Sequence, residues 1–411
     1  MKILIADDDE IQRDVLTAML EQRHHEVTTV SNGAQAWETL QRDPISMVFT
    51  DWMMPELNGL ELIRKVRASQ LGRYVYMILC TGKNARADLI EGMRCGADDF
   101  LTKPIQEDEL LVRMASGERV LDLEKRLEQE NRKLASAYDT IRHDLEAAAR
   151  MQRSLLPPAT EIRGVRFESL FLPASMVAGD IFNFFPLNET TTGFYQLDVS
   201  GHGIPAAMLS VTLSKMLSSG PLGNALLKRP IATAPWHEVV APHEALGELN
   251  RRFQDNGDMY FTMVYGVLGG PESRRLRLAQ AGHPHPIYLA RGQHCVALGH
   301  GGFPLGVLPH MDYELCEREV GPGDRMFLTS DGVLECVNSK GEQFGDGRLK
   351  EFVERHRDCG LRELLDALQE MLKQWVESDD FEDDVSVVAM EFQGSASGEC
   401  PDQRELKGLK Q

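Results

Sequence analysis

Between residues 1 and about 116, short apolar runs alternate with amphipathic stretches: Lys2-Ile-Leu-Ile-Ala6, Val27 to Val30, Met47-Val-Phe-Thr50, Val75-Tyr-Met-Ile-Leu-Cys80 and Asp98 to Leu101. Five strands with helices between them imply an α/β unit built on a doubly wound parallel sheet. In such a sheet, chemistry collects at the carboxyl ends of the strands.

From about 105 to 156 the pattern changes to one uninterrupted helix. Val120, Leu127, Leu134, Ile141, Ala148 and Leu155 recur every seven residues, the mark of a coiled-coil seam. The companion positions Glu124, Asn131, Tyr138, Leu145 and Gln152 are half polar, so the seam is weak, and Asn131 within it favours a parallel, in-register homodimer. The alternative is a helix packed on its own domains. Pro157 and Pro158 end the helix.

Beyond 165, β-rich segments bounded by Gly and Pro take over: Gly193 to Val199, Phe261 to Gly269, Leu276 to Ala281, His285 to Ala290 and Arg325 to Ser330. Two helices, about 204–218 and 361–377, complete an α+β domain of packed antiparallel sheets flanked by helices. Residues 218–243, with Pro221, Pro230, Pro235 and Pro242, read as an irregular insertion, and Gly394 onward as a disordered tail. The expected division is 1–116, a helical linker over 117–156, a second domain over 157–393, and a tail over 394–411.

Composition narrows the function. The 411 residues carry a formal charge of −19, which disfavours nucleic acid and anionic lipid and favours a protein partner. No apolar run is long enough to span a bilayer and no leader pattern opens the chain, so a cytoplasmic protein is expected. Seven scattered cysteines without a Cys-x-x-Cys pair argue against a zinc site or a disulfide framework.

Asp7 and Asp8 follow the first strand, Asp51 the third, Thr81 the fourth and Lys103 the fifth. Three carboxylates converging at one sheet edge repel one another and call for a hard divalent cation with oxygen ligands, for which Mg²⁺ fits best. A carboxylate beside that cation can attack a phosphoryl group while the metal, Lys103 and Thr81 neutralise the oxygens. The motifs Ala6-Asp7-Asp8-Asp9, Asp51-Trp-Met-Met-Pro55 with Asn58-Gly59, Thr81-Gly82, Gly96-Ala97-Asp98-Asp99-Phe100 and Lys103-Pro104 resemble the receiver domain of two-component response regulators. That resemblance implies a phosphoacceptor at Asp51, a direct metal ligand at Asp8, a water-mediated one at Asp7 and a carbonyl ligand from Met53. It further implies a switch hydroxyl at Thr81, a rotating aromatic at Phe100, a phosphate partner at Lys103, a cis Lys103-Pro104 bond and a cognate histidine kinase.

A second acidic set is carried by Gly179-Asp180, Asp198-Val-Ser-Gly-His-Gly203, Thr329-Ser-Asp331-Gly332 and Asp383-Asp384-Val-Ser386. Four carboxylates with no Lys or Arg in their motifs need more than one cation to coexist, and a pair of Mn²⁺ or Mg²⁺ ions can activate water for displacement at phosphorus. With Ala149-Arg-Met-Gln152, Leu155-Leu-Pro157, Ala281-Gly-His283-Pro284 and Gly323-Asp-Arg-Met-Phe-Leu328, these residues resemble the SpoIIE-like branch of protein phosphatase 2C. By that resemblance Asp198 bridges both metals, Asp331 and Asp383 bind the first, and Asp180 with the Val199 carbonyl serves the second. Asp384 stands where many relatives carry Asn and is set apart from the direct ligands. Asn183 replaces a frequent Asp and leaves an auxiliary contact open. Gly179 lets the cation approach the backbone. His202 and His283 lie in glycine-rich turns, with either a structural hydrogen bond or a part in catalysis.

The expected protein is therefore a response regulator whose output is a metal-dependent serine/threonine phosphatase. The resemblance points to a phosphorylated anti-sigma-factor antagonist of the STAS type as its substrate. The rival reading is a non-catalytic adaptor that keeps the fold and binds a sigma factor or similar protein.

Overall fold

The computed structural model describes residues 1–393 apart from residue 70 and segments 83–85, 219–225, 233–235, 255–258 and 270–273. The expected tail from Gly394 lies outside the described residues. Two compact units divide the chain, Met1–Thr140 and Ile141–Gln411.

The first unit alternates β1 (Lys2–Ala6), α1 (Glu10–Glu21), β2 (Glu26–Val30), α2 (Gly33–Arg42), β3 (Met47–Asp51), α3 (Gly59–Ala68), β4 (Tyr76–Thr81), α4 (Arg86–Arg94), β5 (Asp99–Thr102) and α5 (Glu107–Arg153). All strand pairs are parallel, in the order β2-β1-β3-β4-β5. Strand order reverses between β1 and β3, which opens a crevice at their carboxyl ends. Apolar side chains fill both faces: Ile3, Ile5 and Phe49 pack with Leu110 and Met114, and Leu4, Val48 and Met77 with Leu62 and Ile63. Local signals place the turns beside the crevice. Asp9 caps α1 by accepting from the Ile11 and Gln12 amides, and Asn58 and Glu61 form a capping box on α3. Gly59 is required there, because a Cβ would lie 2.1 Å from Asp51 O.

Helix α5 runs unbroken from Glu107 to Arg153. Its heptad stripe is not uniform. Leu127, Leu134 and Ile141 are exposed, whereas Val120 packs on the first unit's core and Leu155, just past the helix, on the second unit's core. Gln152 is buried. The free part of the stripe is therefore shorter than the spacing suggested, because its ends are used within the chain.

The second unit comprises β6 (Thr160–Ile162), β7 (Val165–Leu172), β8 (Ile181–Pro186), β9 (Thr191–Val199), α6 (Ile204–Met216), β10 (Lys228–Pro230), β11 (His237–Val239), α7 (Pro242–Arg252), β12 (Phe261–Gly269), β13 (Arg275–Ala281), β14 (Ile287–Leu289), β15 (Cys295–Ala297), β16 (Cys316–Glu319), β17 (Arg325–Thr329), α8 (Asp331–Glu335), α9 (Gly345–Arg355), α10 (Leu361–Val376) and β18 (Val385–Phe392). Two antiparallel sheets, β16-β13-β12-β9-β8 and β15-β14-β17-β18-β7-β6, share an inner core of Phe167, Phe182, Phe184, Phe194, Leu328 and Met390. The Phe167 and Phe184 rings stack at 4.5 Å, and truncating either to Ala should cost ~3–5 kcal/mol. Leu213 of α6 and Leu246 and Leu249 of α7 cover the outer face of the first sheet; Phe352 of α9 and Leu364, Leu368 and Leu372 of α10 cover the second.

Two expectations are corrected. More than two helices interrupt the sheets: α7 hides behind the proline run because Pro242 occupies its first turn, where a missing amide hydrogen costs nothing, and α8 and α9 follow the Asp331 turn. The supposed irregular insertion contains an antiparallel hairpin, β10 with β11.

Candidate functional site

In the first unit, Asp7 and Asp51 are buried and Asp8 is exposed, yet each offers a carboxylate oxygen within 4.8 Å of the others. Lys103 Nζ stands 2.8 Å from Asp7 Oδ2 and 2.7 Å from Asp51 Oδ1. The Met53 amide donates to Asp51 Oδ2 at 3.2 Å, which brings that peptide to the site. Burial pushes the Asp51 carboxyl up against the opposing pull of Lys103. Burial also opposes the charge on Lys103, but its bonds to Asp51 and Asp7 outweigh it and hold the ammonium protonated. Three carboxylates and one ammonium leave a net negative, oxygen-lined pocket that fits one hard cation. Thr81 is fully buried at the end of β4, Phe100 is half-buried with the Arg113 guanidinium over its ring, and the Lys103-Pro104 bond is cis.

The second unit brings its acids to the ends of two antiparallel strand pairs. Asp180 precedes β8 and Asp198 lies near the end of β9, which pair through Ile181 and Leu197. Asp331 follows β17, and Asp383 and Asp384 precede β18, which pair through Thr329 and Val387. Gln196 Nε2 then bridges the two sheets, donating to Ser386 Oγ at 2.7 Å and to Ser386 O at 3.0 Å. Asp180 is fully buried, and its carboxyl is raised well above the usual range by burial and by Asp198 and Asp384. Asp198 is pushed up to about 7 by burial and then by Asp331, Asp383 and Asp384. Asp331 is raised to about 6 by burial and then by Asp383. The charges that raise all three are other carboxylates, so this pocket is short of positive charge. Gly179 closes it: a Cβ there would lie 2.9 Å from the Val199 carbonyl oxygen. A carbonyl near several buried acids offers the oxygen donors that hard divalent ions prefer, while among the described residues only Asp7, Asp8 and Asp51 hold their carboxylate oxygens within 4.8 Å of one another.

The auxiliary residues separate. Asp384 turns its carboxylate onto main-chain amides, accepting from Ala174 at 2.8 Å and Gly179 at 2.7 Å. His202 sits on an exposed turn between Gly201 and Gly203, both with positive φ. His283 is buried, its Nδ1 2.8 Å from Thr262 Oγ1, and burial depresses it to about 3, so it is neutral. Thr262 lies directly across the ladder from Asp198. Asn183 is opposite Tyr195, and strand alternation puts that pair on the face away from Asp198, so the ladder register gives no support to the auxiliary contact left open there. Gln196 and Thr262 have no part in the reading of the motifs, and Ser386 enters it only as the last residue of Asp383-Asp384-Val-Ser386, without a role. A polar Gln within a strand buried on both faces is the signal that could have found the first of them.

The family model for stage II sporulation protein E matches residues 188–393, about half of the chain. The chain belongs to the SpoIIE family. Ahead of the SpoIIE match, the response regulator receiver model covers residues 3–115. A chemotaxis protein CheY homolog from Campylobacter jejuni is 33% identical over 106 residues, 25% of this chain and 82% of that protein. The 3',5'-cyclic-nucleotide phosphodiesterase regA of Dictyostelium discoideum is 35% identical over 111 residues, 26% of this chain but only 14% of its own length. Among solved structures, the SiaA-PP2C domain of Pseudomonas aeruginosa aligns over 63% of this chain and all of its own, with a TM-score of 0.53 and 20% identity, which shows a shared fold. This SpoIIE-family chain thus joins a receiver to a domain that shares the fold of the SiaA-PP2C domain. Among the described residues, no helix is long and apolar enough to cross a membrane.

Proposed function

We propose that this protein is a cytoplasmic response regulator in which phosphorylation of Asp51 by a cognate histidine kinase controls a metal-dependent serine/threonine protein phosphatase. One observation carries the reading: Asp180, Asp198 and Asp331 lie at strand ends of two packed sheets, where burial and then neighbouring carboxylates, Asp383 among them, raise the proton affinity of all three. Asp198 would bridge two Mn²⁺ or Mg²⁺ ions, with Asp331 and Asp383 on one and Asp180 and the Val199 carbonyl on the other. When bound, such a pair supplies an activated water and neutralises the phosphoryl oxygens. The chain's own residues would hold the ions, Ser386, itself held by Gln196, orients Asp180, and no side-chain nucleophile is required. A cleft of about 470 Å³ beside Asp383, lined in part by Gly332, Val337 and Phe381, gives room for a phosphorylated side chain.

In the receiver, Asp8, Asp7, Asp51 and the Met53 carbonyl would hold Mg²⁺, with Thr81 and Lys103 on the phosphoryl group and Phe100 following the switch. Helix α5 is the connection through which the phosphorylated state would act, and its exposed Leu127, Leu134 and Ile141 support pairing with a second copy. The family suggests a phosphorylated STAS-type anti-sigma antagonist as substrate. The alternative, a non-catalytic adaptor that keeps the fold and binds a sigma factor or other protein under receiver control, would show no metal-dependent turnover.

The test is hydrolysis of a small aryl phosphate with Mn²⁺, with Asp198→Ala as control, followed by the same assay and a sedimentation measurement with beryllofluoride. Mn²⁺-dependent turnover that Asp198→Ala abolishes is expected. Equal rates for the two proteins would remove the phosphatase, and an analogue that changed neither turnover nor oligomeric state would remove the control.

A further inference from the structure

We infer that Asp384 is a positioning residue that sets the distance between the two halves of the acid cluster, holding the Asp180 arm against the Asp331 arm without itself ligating metal. The inference rests on the two-metal phosphatase reading above.

Three observations meet at this residue. Its side chain is buried, and each carboxylate oxygen is engaged by the main chain of one loop: Oδ1 accepts from the Ala174 amide at 2.8 Å, and Oδ2 from the Gly179 amide at 2.7 Å and, at 3.4 Å, from Asp180. That loop spans 173–180, between the end of β7 and the start of β8, and has no ladder of its own. Asp384 therefore grips it at both shoulders. On its other side, the Asp384 carbonyl accepts from Ser330 Oγ at 2.9 Å and touches Gly332, where a Cβ would come within 2.2 Å of it. One residue thus ties Gly179-Asp180 by its side chain and Ser330-Asp331-Gly332 by its main chain.

The chemistry explains why an acid stands there. An ionised carboxylate only accepts, with room for two or more N–H donors on separate oxygens. An amide has one acceptor oxygen, so Asn could keep Gly179 and Asp180 but would turn its own N–H₂ toward the Ala174 amide, leaving that shoulder unheld. Ala would release both. A direct ligand behaves differently, because an amide oxygen can still reach a hard cation but brings no negative charge, so the loss falls on the metal itself.

The measurement is calorimetric titration of Mn²⁺ into the full chain and its Asp384→Asn, Asp384→Ala and Asp180→Asn variants, with circular dichroism to verify folding and aryl phosphate turnover followed against Mn²⁺ concentration. Outer-shell partners of metal ligands typically contribute about 10–100-fold in affinity. Asp384→Ala should weaken the same Mn²⁺ site that Asp180→Asn removes by about that factor, with kcat recovering at saturating Mn²⁺, and Asp384→Asn should fall between it and the unaltered chain. Unchanged Mn²⁺ affinity in folded Asp384→Ala overturns the inference. So does Asp384→Asn as damaging as Ala with kcat lost at saturating metal, which would make Asp384 a ligand. If Asp180→Asn takes up as much Mn²⁺ as the unaltered chain, whose receiver acids also bind a cation, the phosphatase reading itself falls and this inference with it; a site that Asp180→Asn removes separates the two failures.

Discussion

The Ser386 hydroxyl donates to Asp180 Oδ2 at 2.5 Å, and Gln196 Nε2 holds the same hydroxyl from the facing sheet. All three side chains are buried, so the carboxylate is oriented by bonds that water cannot replace. Ser386→Ala should raise the Mn²⁺ concentration needed for half-maximal turnover by about tenfold, with a smaller effect at saturating metal. Mn²⁺ dependence of aryl phosphate hydrolysis reads this directly, and an unchanged requirement would show that Asp180 is held by other means.

Lys103 contacts both Asp7 and Asp51, so it occupies part of the charge that a cation would otherwise neutralise. Lys103→Met should bind Mg²⁺ more tightly, by about fivefold for each ~1 kcal/mol of repulsion relieved. The same variant should lose its response to beryllofluoride, because the phosphoryl group has lost its ammonium partner. Calorimetric titration of Mg²⁺ with and without the analogue tests both signs.

Proton linkage follows from Asp198 near 7 and Asp331 near 6, against about 3.9 for an unfolded aspartate. Folded-state values above the unfolded ones mean that the metal-free fold retains protons the unfolded chain releases. Their contribution to stability is present below about pH 4 and is lost as pH rises through 6 to 7. In chelator, the melting temperature of the unaltered chain relative to Asp198→Asn should therefore fall between pH 5 and pH 8, and Mn²⁺ at pH 8 should reverse the fall. A difference that stays flat across that range would mean these acids are not raised.

Gly332 and Gly347 offer a matched pair. A methyl group at Gly332 would collide with the Asp384 carbonyl, which is backbone and cannot step aside, whereas Gly347 lies exposed in α9 with nothing within 4 Å of the added carbon. Gly347→Ala should stabilise the protein by about 0.5–1 kcal/mol. Gly332→Ala should destabilise it and reduce Mn²⁺ uptake. Denaturant unfolding of both variants measures the contrast.

Much of this was legible because the chemistry constrains residue type. Acids at strand ends beside glycines, as at Asp51 and Asp198, can be found by eye, since a cation needs carboxylate oxygen and a small neighbour. What escaped is what holds those acids. Gln196 sits in β9, a strand buried on both faces, where alternation gives no hint that one face looks onto Ser386. Asp384 was visible as an acid, but its partners are main-chain amides of residues some two hundred positions away, which no local pattern encodes. Helix α7 was lost for a different reason: proline weighed as a breaker is equally suited to a helix's first turn.

Near the end of α5, Gln152 donates to the Ala178 carbonyl at 2.7 Å and accepts from the Ala178 amide at 3.0 Å, so one amide side chain reads both poles of a single peptide-bonded residue next to Gly179. Such a double grip fixes angular phase. Since each added residue turns a helix by about 100°, inserting one between the half-buried Leu145 and Gln152 would take the two off a common face of α5, while inserting seven would nearly restore it. The last turns of α5 are therefore held by rotation as well as by length.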